Sequence, residues 1–319
     1  MRDPERPRIA LGDFPTRLVH WPRLGASIGV DLWIKHEFEA DGFGSGNKVR
    51  KLEFLLASVV DGGYSGVVLD GSTQSNCAMA LALYAPSAGL TVDLILYGDT
   101  CRSGNYLDVL RSAADVTVLP GWSPADIETA RRKITDRRGG SRLYDLPTGA
   151  TNEVTVFASI ELAHELADQE DALEISVDHV VFPTGTGGTQ AGLEMGRALL
   201  GKPWSMFGVA IANDATFFQH VTGSLSRHRL IAPVLRGTQT QLQPHTHVGA
   251  IGPGYGIPLD GTFTEISSLR RRFGLVFDSV YTYKAFVGLR QLIDAGMIER
   301  GSTVVFLHTG GTNERFRDV

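Results

Sequence analysis

The chain has 319 residues, 43% hydrophobic and 20% charged, a composition ordinary for a globular protein with a sizeable core. Its formal net charge is −5 with no long basic run, which argues against a nucleic-acid partner. Two isolated cysteines, Cys77 and Cys101, suggest neither a disulfide framework nor a zinc site; with no signal-peptide core and no apolar run of about 18 residues, a cytoplasmic enzyme without a membrane span is expected.

In chain order, "DGFGSGNKVRKLEFLL" (41–56) leads from three glycines into a helix predicted over 48–60, with Val49, Leu52 and Leu56 on one face. "GVVLDG" (66–71) reads as a buried strand, followed by a polar turn and a helix within 69–83. Further strands are predicted at 91–98, 116–120, 179–183, 207–212 and 303–311, and further helices at 105–114, 124–137, 152–167, 189–200 and 283–295. The near-continuous Val/Ile/Leu strands fit parallel sheets covered on both faces. Their alternation with helices predicts an open α/β architecture, whose ligands bind beyond the carboxyl ends of the strands. "ITDRRGGSRLYDLPTGA" (134–150) is the best candidate for a crossing between two lobes. "HTH" (245–247) reads as a polar loop rather than a metal site, since no third ligand is near.

Three segments could carry chemistry. The glycine loop before Lys48 is neither a P-loop, which needs Gly-Lys-Ser/Thr, nor a dinucleotide fingerprint, which needs a preceding strand and a third glycine. "FPTGTGGTQAGLEMG" (182–196) follows a strand and opens a helix. Gly185, Gly187 and Gly188 let backbone amides approach an anion, and Thr184, Thr186 and Thr189 add hydroxyls. Its plain alternative is a tight strand–helix turn; Gln190 occupies the place of a dinucleotide motif's third glycine. "GSTQSN" (71–76) holds more polar residues than the helix N-cap it also suits requires. A lysine at a helix start is commonly solvated, yet the dipole there lowers its pKa and suits a nucleophilic amine. Pyridoxal phosphate would join these features, since it needs an amine for its aldehyde and donors for its phosphate.

The ordered motifs "GSGNKVRKLEFL", "GSTQSN", "PTGTGGTQAG", "GPGYGIP", "DSVYTYKAFVGL" and "FLHTGG" resemble the fold type II pyridoxal-phosphate enzymes grouped as D-cysteine desulfhydrases and 1-aminocyclopropane-1-carboxylate deaminases. The resemblance runs from about Leu11 to Gly311. It implies two open twisted α/β lobes with mostly parallel sheets and the cofactor between them. The larger would be 1–50 with 146–319, and the smaller 51–145. By the resemblance, Lys48 binds the cofactor aldehyde and Asn76 lies beside its ring. Gly185, Thr186, Gly187, Gly188 and Thr189 hold the phosphate. Gln74, Ser75, Asn76, Tyr255 and Tyr281 face the substrate, with Ser75, Tyr255 and Tyr281 joining Lys48 in catalysis. Lys51 reads equally as a solvated helix lysine or a proton-transfer group.

Two positions speak to the substrate. Ring-opening deaminases resemble one another in a glutamate after the second tyrosine and a leucine in the last glycine motif; here stand Thr282 and Thr309, as in the desulfhydrases. A threonine hydroxyl hydrogen-bonds a neutral pyridine nitrogen, a weaker electron sink than a carboxylate would hold. β-Elimination from an amino acid, D-cysteine foremost, is therefore expected. L-cysteate sulfo-lyase, ring-opening deaminase, β-replacement and non-catalytic cofactor-binding readings stand beside it. The family likeness also suggests a homodimer. After "QSN" the family pattern has a polar residue and a basic one, whereas this chain has Cys77-Ala78-Met79-Ala80.

Overall fold

The computed structural model describes residues 6–98, 100–102, 104–238, 242 and 244–310; Gly311, the last residue of the final glycine motif, lies outside them. The elements run β1 (Leu18–His20), α1 (Pro22–Ile28), β2 (Asp31–Lys35), α2 (Lys48–Asp61), β3 (Gly66–Ser72), α3 (Asn76–Tyr84) and β4 (Thr91–Tyr97). Next come α4 (Gly104–Arg111), β5 (Asp115–Leu119), α5 (Pro124–Arg137), β6 (Leu143–Leu146), α6 (Val156–Ala172), β7 (His179–Thr184) and α7 (Gly188–Leu200). The chain continues with β8 (Ser205–Ala210), α8 (Ala215–Ser226), β9 (His245–His247), α9 (Thr262–Phe273), α10 (Thr282–Asp294) and β10 (Thr303–Leu307).

Two separate sheets form. One has the order β5-β4-β3-β6 and is parallel throughout. The other has the order β1-β2-β10-β7-β8-β9, in which only β1 runs antiparallel to its neighbour. Both are covered on two faces, which is why their strands are apolar without alternation. On the smaller sheet, α2, α3 and α4 bury Leu55, Leu81 and Tyr106 against one face, and Ile127, Ala130 and Ile134 of α5 cover the other. On the larger, Leu289 of α10 and Leu269 of α9 pack on one side, and Leu166 of α6 and Leu193 of α7 on the other.

Helix α2 belongs to both bodies of packing. Leu52, Leu55, Leu56 and Val59 join the core of the smaller sheet, while Phe54 packs with Phe157 of α6 and Met195 of α7. A helix apolar on several faces is a buried one, and its first residue is Lys48. Its start is held by charge: buried Arg50 donates to Glu37 at 2.8 and 2.9 Å and pairs with Glu165 at 2.7 Å, and Glu165 also binds Lys35. Breaking such a buried pair costs about 3–5 kcal/mol.

The short strands β1, β2, β6 and β9 escape the sequence reading. β2 ends in Lys35, whose charge hides a buried position paired with Glu165. β6, "LYDL", is a four-residue edge strand. β9 forms at His245–His247, where the sequence reads as a polar loop; it pairs with β8, and Gln190 of α7 donates to the His245 carbonyl at 3.2 Å and the Thr246 hydroxyl at 3.0 Å. Among the described residues no group of three metal-ligating side chains occurs, and no helix is long and apolar enough to cross a membrane.

Candidate active site

The starts of α2, α3 and α7 and the end of β10 meet around a cavity of about 440 Å³. Lys48, Ser75, Asn76, Gly185, Thr186, Gly187, Gly188, Thr189, Tyr255, Tyr281 and Thr309 all line it, so residues far apart in the chain share one space.

The glycine loop puts Lys48 there. Gly46 has φ +62°, and a Cβ on it would stand 2.0 Å from the Thr309 carbonyl oxygen. Only glycine fits so close a crossing in that conformation. The next amide, Asn47 N–H, donates to the same carbonyl at 2.9 Å. The lysine loop is thereby fastened to the end of β10. Burial lowers the Lys48 pKa, with a smaller opposing influence from the neighbouring Cys77, and the helix start disfavours its positive charge further. A neutral amine is the nucleophilic form.

At the end of β7, residues 185–189 turn into α7 through Gly187, in the left-handed region at φ +83°. Asn213 Nδ2 donates to the Gly185 carbonyl at 3.1 Å, the Thr186 and Thr151 hydroxyls meet at 2.7 Å, and Asn47 Nδ2 donates to Thr189 Oγ1 at 3.3 Å. Lys51, read from sequence as solvated or proton-transferring, is buried with its Nζ beside Gly188. Burial, then the charge of Lys48, bring its pKa down to about 7. Thr184 Oγ1 is buried without a hydrogen-bond partner at the edge of the same loop. A helix N-terminus, an orphaned hydroxyl and an ammonium together make an anion site. With Lys48 in the same cavity, the residues fit pyridoxal phosphate: an amine for the aldehyde, the α7 start and Lys51 for the phosphate.

The opposite wall comes from α3 and two loops. Ser75 is the N-cap of α3, its Oγ accepting from Ala78 N–H at 3.2 Å, so the cap and the cavity position coincide. Asn76 Oδ1 accepts from Asn105 Nδ2 at 2.7 Å. Gln74 does not line this cavity; its Oε1 accepts from the Asn105 amide at 3.1 Å. The Tyr255 and Tyr281 hydroxyls meet at 3.1 Å, and Ser72 Oγ lies 3.5 Å from that of Tyr255. Burial, then the neighbouring Tyr255, push the Tyr281 pKa well up, keeping its phenol protonated. Behind the Tyr255 loop, Lys284 Nζ donates to the carbonyls of Ile251 and Gly254 at 2.7 and 2.8 Å.

Thr282 is not brought to the cavity lining. Its hydroxyl donates to Asp278 Oδ2 at 2.5 Å and accepts from the Asp278 amide at 2.8 Å. Asp278 also accepts the amides of Val280, Tyr281 and Thr282, an arrangement that satisfies the start of α10. The apolar stretch after Asn76 has a simple cause: Ala78, Met79 and Ala80 are core residues of α3, and Cys77 alone of the four lines the cavity.

Sequence reasoning missed Asn105, Thr151, Asn213 and Trp122. Asn105 sits at a helix start, where its side chain reads as an ordinary cap, and the other three lie in loops.

Residues 9–310 match the family described as pyridoxal-phosphate dependent enzyme. A Pyrococcus abyssi protein provisionally named 1-aminocyclopropane-1-carboxylate deaminase is 31% identical over 309 residues, covering 96% of this chain and 92% of its own. A D-cysteine desulfhydrase of Salmonella choleraesuis is 30% identical over 319 residues, covering 97% and 95%. A crystal structure described as an ACC deaminase homologue superposes with TM-score 0.87 at 29% identity, covering 98% of this chain and 94% of that one.

Proposed function

The chain belongs to the pyridoxal-phosphate dependent enzyme family, and from that premise we propose that it eliminates the β-substituent of an amino acid, with D-cysteine the leading substrate. It is a pyridoxal-phosphate-dependent lyase of the ACC deaminase and D-cysteine desulfhydrase type, with the α/β architecture of fold type II. The observation that carries the elimination reading is the single cavity that holds the Lys48 amine, the α7 start and the Tyr255–Tyr281 pair.

When bound, the cofactor withdraws electrons from the substrate Cα. Lys48 would hold its aldehyde, and Lys51 with residues 185–189 would hold its phosphate. Ser75 and Asn76 bind the substrate carboxylate at the start of α3, where the dipole favours an anion. The Lys48 amine, once free and neutral, takes the Cα proton. The Tyr281 phenol, held protonated by burial, donates a hydrogen bond to the departing sulfur. Cysteine and water thus yield pyruvate, ammonia and hydrogen sulfide.

The deaminase relative and the desulfhydrase relative are about equally similar, so identity does not separate them. Thr309 at the cavity, where the deaminase pattern has leucine, favours elimination. The same proposal places the smaller unit at 51–145 and the larger at 1–50 with 146–319, and takes the protein as cytoplasmic from its composition and as a homodimer by family likeness. A substrate screen decides the reaction. Pyruvate is measured from D-cysteine, L-cysteine, β-chloro-D-alanine and L-cysteate, and α-ketobutyrate from 1-aminocyclopropane-1-carboxylate. Preference for the cyclopropane substrate would replace this reading with the deaminase one.

A further inference from the structure

A second chamber of about 480 Å³ adjoins the first. The two share Ser72, Asn76, Tyr97, Trp122, Tyr255 and Tyr281, so the tyrosine pair stands where they meet. Each chamber alone is within the size range, about 300–1,000 Å³, that takes a drug-sized molecule. Cysteine has one heavy atom beyond Cβ, and its sulfur needs none of the second chamber.

The outer chamber has a chemical character. Trp122, from the loop between β5 and α5, is 66% exposed, and Ile257, from the loop after Tyr255, is 49% exposed. Several of its polar groups are engaged within the protein. Gln74 and Asn105 bind each other, and the Asp278 carboxylate accepts three amides and the Thr282 hydroxyl. Beside the Ser72, Thr73 and Tyr97 hydroxyls, what meets a ligand is an indole, the aliphatic side chains of Ile257 and Val280, and phenol faces. Such a surface selects an apolar or aromatic group rather than a charged one.

We propose that the enzyme acts on cysteine S-conjugates, thioethers whose apolar or aromatic group passes the tyrosine pair and lies on Trp122 and Ile257. The inference rests on the elimination reading above and names its substrate class. The Cα–H bond breaks and its proton goes to the base. The Cβ–S bond breaks and sulfur leaves with the electron pair, taking a proton to become a thiol. The resulting 2-aminoacrylate takes up water and gives pyruvate and ammonia. Nothing is oxidised or reduced beyond what the elimination itself redistributes within the substrate.

The test compares cysteine, S-methylcysteine and S-benzylcysteine, both enantiomers of each, with the cofactor-loaded enzyme, reading pyruvate and released thiol. S-Benzylcysteine is expected to exceed cysteine in kcat/KM by roughly tenfold or more, the scale on which apolar pockets discriminate. Trp122→Ala is expected to lower that ratio by a similar factor. Pyruvate release with cysteine preferred over the benzyl conjugate leaves elimination standing and overturns this inference. Formation of S-benzylcysteine from cysteine and benzyl thiol, without elimination from the conjugate, also overturns it and makes the chamber a nucleophile site. If no amino acid yields pyruvate, the elimination reading falls, and quenching of Trp122 fluorescence decides the chamber. S-Benzylcysteine binding tighter than cysteine supports it; equal binding overturns it.

Discussion

Lys51 and Gly188 face one another at the start of α7, with the Lys51 Nζ 3.2 Å from where a Gly188 Cβ would stand. A buried lysine placed there has a use for its charge only when an anion arrives. Lys51→Met is therefore expected to weaken binding of 4′-deoxypyridoxine phosphate, an aldehyde-free analogue, by roughly 10-fold or more, the scale of a charged hydrogen bond. For wild type this affinity falls as pH rises above about 7, because Lys51 then binds the anion only by first taking a proton. Titration calorimetry across pH measures both; affinity independent of both residue 51 and pH would remove Lys51 from the phosphate site.

The same shift has a stability consequence. The folded Lys51 pKa, about 7, is below its ordinary 10.5, so between these values the unfolded chain holds more protons at this group. Its contribution to stability of the cofactor-free protein therefore rises with pH across that window. Urea midpoints of wild type and Lys51→Met should converge toward high pH, with the variant more stable near neutrality.

Lys48 should be trapped by borohydride reduction of the cofactor-loaded enzyme, with the label in the peptide "GSGNKVR". Lys48→Ala should lose the visible band of the lysine-linked cofactor and turnover while its circular dichroism stays unchanged. Label on Lys51 instead would reverse the roles of the two lysines.

Thr282→Val removes a donor to the Asp278 carboxylate, and leaving a buried acceptor short costs about 1–3 kcal/mol. Thr282→Glu should cost more, since it sets a second carboxylate against Asp278 in a buried place. Both changes should lower turnover through Tyr281, whose amide Asp278 holds. Urea unfolding with parallel kinetics tests this; a stable, fully active Thr282→Glu protein would refute the arrangement.

Arg50→Ala should destabilise by about 3–5 kcal/mol, because it leaves Glu37 buried without its cation. In wild type the Glu37 pKa is lowered overall; burial, the largest influence, raises it, and the Arg50 charge and hydrogen bonds outweigh that. Stability from this pair is thus present above the ordinary carboxyl pKa and is lost as pH falls through the depressed folded value. Acid unfolding should begin at higher pH in the variant if Arg50 is what holds Glu37 ionised.

The sequence revealed much of this molecule where its signals are local. Six strands and the helices from Lys48, Pro124 and Gly188 follow from apolar runs and glycine punctuation, and Lys48 and Gly185–Thr189 from their place beside helix starts. What stayed hidden depends on partners distant in the chain. Lys35 makes β2 look polar until Glu165 is seen beside it. Lys51 looks as much a solvated helix lysine as a proton-transfer group until α7 is laid over it, and Thr282 looks like a ring contact until Asp278 takes its hydroxyl. Helix α6 starts later than its apolar pattern suggests, because Asn152 Oδ1 first accepts the amides of Val154 and Thr155 in a turn.

The smaller sheet is built from one uninterrupted stretch, β3 to β6, and that stretch also supplies Ser75, Asn76, Asn105 and Trp122. The Gly185–Thr189 loop, Tyr255, Tyr281 and Thr309 come from the other sheet's share of the chain. On the proposed function, the α3 wall of the substrate site and the anchorage of the cofactor are therefore written in separate parts of the gene, with Tyr255 and Tyr281 in the latter. On that reading, recombination within the codons for 66–146 alters Ser75, Asn76, Asn105 and Trp122 while the proposed anion site is inherited intact.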